Sequence, residues 1–145
     1  MLLLLILATA QAASPTDIAD TLHLSLMADD SSALEGLFPP KAIFMQTCMS
    51  MVGAEATCDS LRGGAQRSIG SRFQDIQLAI SDSKLKLYKA EYNGITPSDV
   101  PADMSRLHVV NFSLTHKKNT LNVALHLLRT EETTYLQYFK VADAE

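Results

Sequence analysis

No catalytic or cofactor motif of any specificity occurs in this chain. There is no Gly-x-Ser-x-Gly elbow, so the exposed serine of an α/β-hydrolase has no place in it. Gly63-Gly64 lacks the Lys-Ser/Thr that would complete a phosphate loop. None of the four histidines, His23, His108, His116 and His126, stands at the short spacing from a cysteine or carboxylate that a zinc site uses. Basic residues are outnumbered, 12 against 16 acidic ones, and the first of them is Lys41. Nothing therefore resembles the basic stripe that nucleic-acid binding requires. No apolar run is long enough to span a bilayer. Internal repeats and low-complexity segments are missing as well, and no cofactor is implied.

What is there fits one domain, long enough to bury a real core. The chain opens MLLLLILATAQAASPTD. Residues 2–7 form a short apolar stretch, and Ala-Gln-Ala follows with small residues at both key positions. That pattern predicts a signal peptide over 1–12, cleaved after Ala12, and a single mature domain over 13–145. The basic residue that usually precedes the apolar stretch is missing. No cysteine follows it, which argues against a lipid anchor. The expected location is the periplasm or the outside of the cell.

Export gives the only two cysteines a meaning. Cys48 and Cys58 have no other partners, so in an oxidising compartment a disulfide between them is expected. Closing so short a loop stabilises a fold by about 2–3 kcal/mol in the chain-entropy treatment. Met45, Met49 and Met51 lie beside Cys48, and soft sulfur ligands suit Cu(I). Flexible side chains filling gaps beside a disulfide account for the same residues. With no Met-x-x-Met spacing and no histidine nearby, no metal site is expected.

Taken in order, Ser14-Pro15 with Asp17 reads as a helix start: a capping hydroxyl, Pro in the first position and an acid in the first turn. Ile18, Leu22 and Leu26 then share a stripe. Asp29-Asp30-Ser31-Ser32 breaks that helix and caps a short one over 33–38, which Pro39-Pro40 ends. The apolar run 42–45 reads as a brief strand. A third helix is expected over 55–69; Gly63-Gly64 inside it each cost about 1 kcal/mol relative to Ala and count against it, unless they mark close packing against the sheet. Residues 72–80 and 84–92 read as a hairpin turning at Asp82-Ser83. That register sets Ile80 against Leu85, Leu78 against Leu87, Gln77 against Tyr88 and Phe73 against Tyr92. A loop over 94–104, with Pro97 and Pro101, connects to the last third.

That last third, 107–141, is predicted to be a three-strand meander, LHVVNFSLTH, TLNVALHLLR and YLQYFKVA. Side chains alternate across a strand, so a register is tested by asking whether it keeps one face apolar. A two-residue turn at Lys118-Asn119 sets Leu114 against Val123, Phe112 against Leu125 and Val110 against Leu127. A turn at Glu131-Glu132 sets Leu127 against Leu136 and Leu125 against Tyr138. This face must be a core face. The opposite face carries Asn111, His126 and Gln137 in one predicted row. Val109, Leu128 and Tyr135 lie to one side of it, and Ala124 and Phe139 to the other. Half apolar with a polar row, it reads either as an ordinary outer face or as a surface for a ligand or partner. Amides beside His126 would fix its tautomer, and a satisfied structural histidine is the reading favoured for it.

The segment DDSSALEGLFPPKAIFMQ, with Ala33, Leu34, Leu37 and Phe38 followed by Ile43 and Phe44, and the strand series after it, resembles the entry of the nuclear transport factor 2-like superfamily. That superfamily includes SnoaL-like and ketosteroid isomerase-like proteins. The resemblance implies an α+β, cystatin-like cone: a curved antiparallel sheet of five to six strands packed on two to three N-terminal helices. It also implies a cavity in the cone and, in many members, a homodimer through the outer sheet face. An isomerase-like site would draw a carboxylate base and a donor to an oxyanion from Asp75, Tyr88, Tyr138 and His126. The expected function is an exported, non-enzymatic binding domain for a small apolar ligand or a protein partner. Its alternatives are an isomerase- or lyase-like enzyme using an acid–base pair in the cavity, and an inhibitor or immunity-type protein working through the loop 94–104. The surface residues singled out are Asn111, His126, Gln137, Tyr138, Tyr88 and Asp75.

Overall fold

The helix start at Ser14 forms as its sequence demands. The Ser14 hydroxyl accepts from Asp17 N at 3.1 Å, and the Asp17 carboxylate accepts from Ser14 N at 3.0 Å. These two bonds close a capping box with Pro15 in the first turn. The helix, α1 (Pro15–Ala28), buries Ile18, Ala19, Leu22 and Leu26 and stops at Asp29, whose φ of 54° is left-handed. The structure, a computed structural model, describes residues 13–97 and 107–142. The predicted signal segment and most of the loop 94–104 lie outside the described residues.

A single turn, α2 (Ser32–Glu35), follows; it stops at Gly36, short of the expected 33–38, and Pro40 instead caps the start of the next helix. The predicted strand over 42–45 is instead the first turn of α3 (Lys41–Val52), which ends at Gly53 with φ 76°. A four-residue apolar run carries no period of its own, and here the following turns decide it. After α4 (Glu55–Arg67), Ser68 leads directly into α5 (Ile69–Asp82). Gly63 and Gly64 lie inside α4 but mark no close approach to the sheet. A β-carbon on Gly63 would meet only the Arg67 guanidinium, and one on Gly64 would meet nothing within 4 Å.

The hairpin expected over 72–92 is also corrected. Its first arm is α5, which buries Ile69, Phe73, Ile76 and Ile80. Those positions recur at intervals of four, three and four, a helical stripe. Leu78, which the strand reading placed beside Ile80, is 61% exposed. The second arm is a 3-10 turn (Leu87–Lys89) leading into β1 (Glu91–Pro97).

The meander is present as β2 (Leu107–His116), β3 (Asn119–Arg129) and β4 (Thr134–Val141). With β1 they make one antiparallel sheet in the order β1-β2-β3-β4. The fold is thus α+β with a curved antiparallel sheet. Among the described residues it has five α-helices and four strands rather than two to three helices and five to six strands. The first turn lies at Lys117-Lys118, with Lys117 at φ 57°, so Leu114 opposes Leu121, Phe112 opposes Val123 and Val110 opposes Leu125. This register is two residues from the expected one. A slip of two preserves every side chain's face, which is why the apolar test did not detect it.

In β3–β4 the pairing Leu127–Leu136 is as expected. A register shift between His126 and Leu127 then sets Leu125 against Phe139 and His126 against Tyr138. This bulge reverses the alternation of β4. Leu136 and Phe139 both enter the core, at 3% and 2% exposure, and Tyr138 turns to the opposite face. The inner face of the sheet packs Phe112, Leu114, Val123, Leu125 and Leu127 against the stripes of α1 and α5. The free edge of β4 is covered: Ala13 O accepts from Thr134 N at 3.1 Å, and Leu37 O accepts from Leu136 N at 2.8 Å.

Candidate ligand-binding cavity

The predicted row of Asn111, His126 and Gln137 does not form. Asn111 opposes Ala124, while His126 lies between Val109 and Tyr138. The slip in one hairpin and the bulge in the other move the three residues apart. The outer face divides into two ends. Toward β1 it is polar: the Asn93 amide donates to Ser113 Oγ and Thr115 Oγ1, both at 3.1 Å. Toward the start of β2 it carries Leu107, Leu128, Tyr135 and Tyr138, and Leu128 is fully buried.

At that apolar end α3 and α4 stand beside the sheet and border a half-open cavity of about 270 Å³. Helix α3 contributes Phe44, Thr47, Cys48, Met51 and Val52 to its wall. Those positions, i, i+3, i+4, i+7 and i+8, are one uninterrupted helical face. Leu61 and Ala65, one turn apart, come from α4, and the sheet supplies Leu107, Gln137 and Tyr138. None of these residues carries a charge. The disulfide Cys48–Cys58 joins the two helices, with Cα atoms 5.8 Å apart. The cysteines are therefore paired and neither is a free thiolate for copper. Lys41 and Asp59 add an exposed ion pair at 3.9 Å between the same helices, worth little by itself.

Of the residues singled out from the sequence, Gln137 and Tyr138 line this cavity. Gln137 Oε1 is buried and has no hydrogen-bond partner among the described residues. The Tyr138 ring receives the Arg72 guanidinium on its face at 4.8 Å and meets the His126 ring edge-on at 5.1 Å. Asp75 joins this chain of contacts only through Arg72, at 3.8 Å, from an exposed position on α5. Burial, reinforced by Lys140, holds the His126 pKa below its usual value, so the neutral ring is favoured. Asn111 lies elsewhere on the sheet, and Tyr88, 70% exposed on the 3-10 turn, has no relation to Asp75 of the kind a hairpin would give.

One constellation was missed from the sequence. Tyr92 donates to Asp20 Oδ1 at 2.8 Å, stacks on His23 at 4.5 Å and meets Phe112 edge-on at 5.5 Å. Burial, then the bond to Asp20, raises the Tyr92 pKa. Burial lowers that of His23 against the opposing pull of Asp20. None of the three lines a described cavity, and their contacts tie α1 to β1. A carboxylate bonded to a phenol that stays protonated is a structural clasp here.

A larger cavity of about 550 Å³, equally half-open, lies between α3 and the β3–β4 turn, bordered by Gln46, Arg129, Glu131 and Tyr135. Among the described residues no group of three or more His, Cys, Asp or Glu side chains is gathered as a metal site, and no helix is long and apolar enough to cross a membrane. No protein family model, curated protein or solved structure matches the chain.

Proposed function

We propose that this chain is an exported binding module holding a small apolar ligand between the α3–α4 hairpin and the outer face of the sheet. The observation that carries the reading is the cavity itself, uncharged in its lining and clamped by a disulfide. Met51, Val52 and Leu61 border it while remaining 51%, 48% and 51% exposed. Large apolar side chains left in water at one place forgo part of the roughly 1.5–3 kcal/mol each would gain by burial, and a ligand restores it. A pocket of this size lies just under the range usual for drug-sized molecules, which favours a ligand of one ring or a short chain. The disulfide supports export, since such bonds persist in oxidising compartments.

Native mass spectrometry under non-reducing conditions, on protein recovered from the compartment to which it is exported, tests both halves. The expected result is a chain lacking residues 1–12, lighter by two hydrogens for the disulfide, with a small molecule retained. An uncleaved, reduced chain would refute export. A homodimer carrying no small molecule would move the function to assembly through the outer sheet face.

A further inference from the structure

The Cys48–Cys58 bond leaves no free thiol in the chain. The oxidisable sulfurs that remain are the methionine thioethers. Four methionines lie among the described residues, at positions 27, 45, 49 and 51. Met45 packs against the core, Met27 is exposed on α1, and Met49 is exposed on α3 without lining the α3–α4 cavity. Met51 is both a wall residue of that cavity and, at 51%, the most exposed of the four. Its side chain is therefore open to a small oxidant from solvent while it forms part of the ligand's surroundings.

The chemistry is an oxygen transfer. The thioether sulfur attacks one oxygen of a peroxide, the O–O bond breaks, and that oxygen stays on sulfur. Its proton passes to the other oxygen, which leaves as water or an alcohol. Sulfur is oxidised by two electrons and the peroxide is reduced by two. The product is a polar sulfoxide where an apolar thioether stood. Phe44, Val52, Leu61 and Ala65, on the same wall, have no side-chain donor to offer it. An apolar ligand closing over the sulfoxide would strip its water and return nothing. The change is reversible, because a sulfoxide reductase removes the oxygen as water with two electrons from thiols.

We infer that Met51 is an oxidation site that governs the cavity: a peroxide converts it to the sulfoxide, and the affinity for an apolar ligand falls. This rests on the cavity being a binding site, and the experiment separates the two claims. Toluene is the probe. Its dissociation constant is measured by NMR titration of the disulfide-bonded protein before and after treatment with hydrogen peroxide. Peptide mass mapping locates the added oxygen, and circular dichroism shows that the fold is kept. The constant is expected to rise about three- to ten-fold in the treated native protein. In Met51→Leu, with Met27 and Met49 oxidised by the same treatment, it is expected to stay at that variant's own untreated value. Met51→Gln, which sets a polar amide in the same place, is expected to bind more weakly than the native chain with no peroxide added. An unchanged constant once Met51 carries the oxygen overturns the inference and leaves the cavity standing. So does equal weakening in Met51→Leu, or a Met51 that stays unmodified while Met27 and Met49 react. Failure of toluene to bind the untreated native protein overturns both.

Discussion

Tyr92 is the residue through which the first helix and the first strand are joined, because one side chain meets Asp20, His23 and Phe112 at once. Removing its hydroxyl as Tyr92→Phe keeps both ring contacts and leaves the Asp20 carboxylate to water. The expected loss is about 1 kcal/mol, read as a lower urea midpoint with an unchanged slope. The histidines make a second prediction at this scale. Burial lowers the pKa of His23, His108 and His126 from the ordinary 6.5, with Arg129 adding to it at His108 and Lys140 at His126. Below pH 6.5 the unfolded chain therefore takes up protons that the folded chain refuses. Stability is unaffected by these groups above that pH, falls as pH drops through it, and levels off once the folded values are passed. The urea midpoint should be lower at pH 5 than at pH 7.5, and His126→Gln should flatten part of that slope. Equal midpoints would show that the rings are not held neutral by the fold.

At the scale of elements, the α3–α4 hairpin decides whether there is a cavity at all, and the disulfide holds it. Replacing both Cys48 and Cys58 by Ala should cost about 2–3 kcal/mol in chemical denaturation. It should also weaken probe binding, because two walls of the cavity are no longer tied. How far these elements were legible in the sequence varied for physical reasons. The cap at Ser14, the three strands of the meander and the Cys48–Cys58 bond each formed, while the partners across β2 and β3 around Phe112 lie two residues from the expected register. Helix α5 was misread because a two-residue alternation can be found among Leu78, Ile80, Leu85 and Leu87. The competing four-three-four spacing of Ile69, Phe73, Ile76 and Ile80 spans the whole segment and is the stronger signal. The same test applied from Phe44 onward finds positions 44, 47, 48, 51 and 52 on one face, which would have revealed both α3 and one wall of the cavity. The bulge in β4 has no sequence mark short of the structure. It arises where the core takes both Leu136 and Phe139, and pure alternation cannot seat two residues three apart on one face.

For the whole molecule, the helical cover passes from the inner face of the sheet around the protected edge of β4 to the outer face. Helices α1 and α5 fill the inner face with tightly packed side chains, and the space remaining lies under α3 and α4. That accounts for a surface half apolar in sequence: Leu107 and Tyr138 line the cavity, while Ser113 and Thr115 lie at the polar end. If the cavity binds ligand, filling it should remove binding without unfolding the protein. Ala65→Phe places a ring where Ala65 now leaves space, and is expected to abolish probe binding with a melting temperature at or above that of the native chain. The measurement that tests the account most directly is a methyl-detected NMR titration of the disulfide-bonded protein with toluene. The account predicts saturable shifts at Met51, Val52, Leu61, Ala65 and Leu107 that vanish in Ala65→Phe. Shifts confined instead to the exposed Leu24, Met27 and Leu78, or no saturable shifts at all, would contradict it.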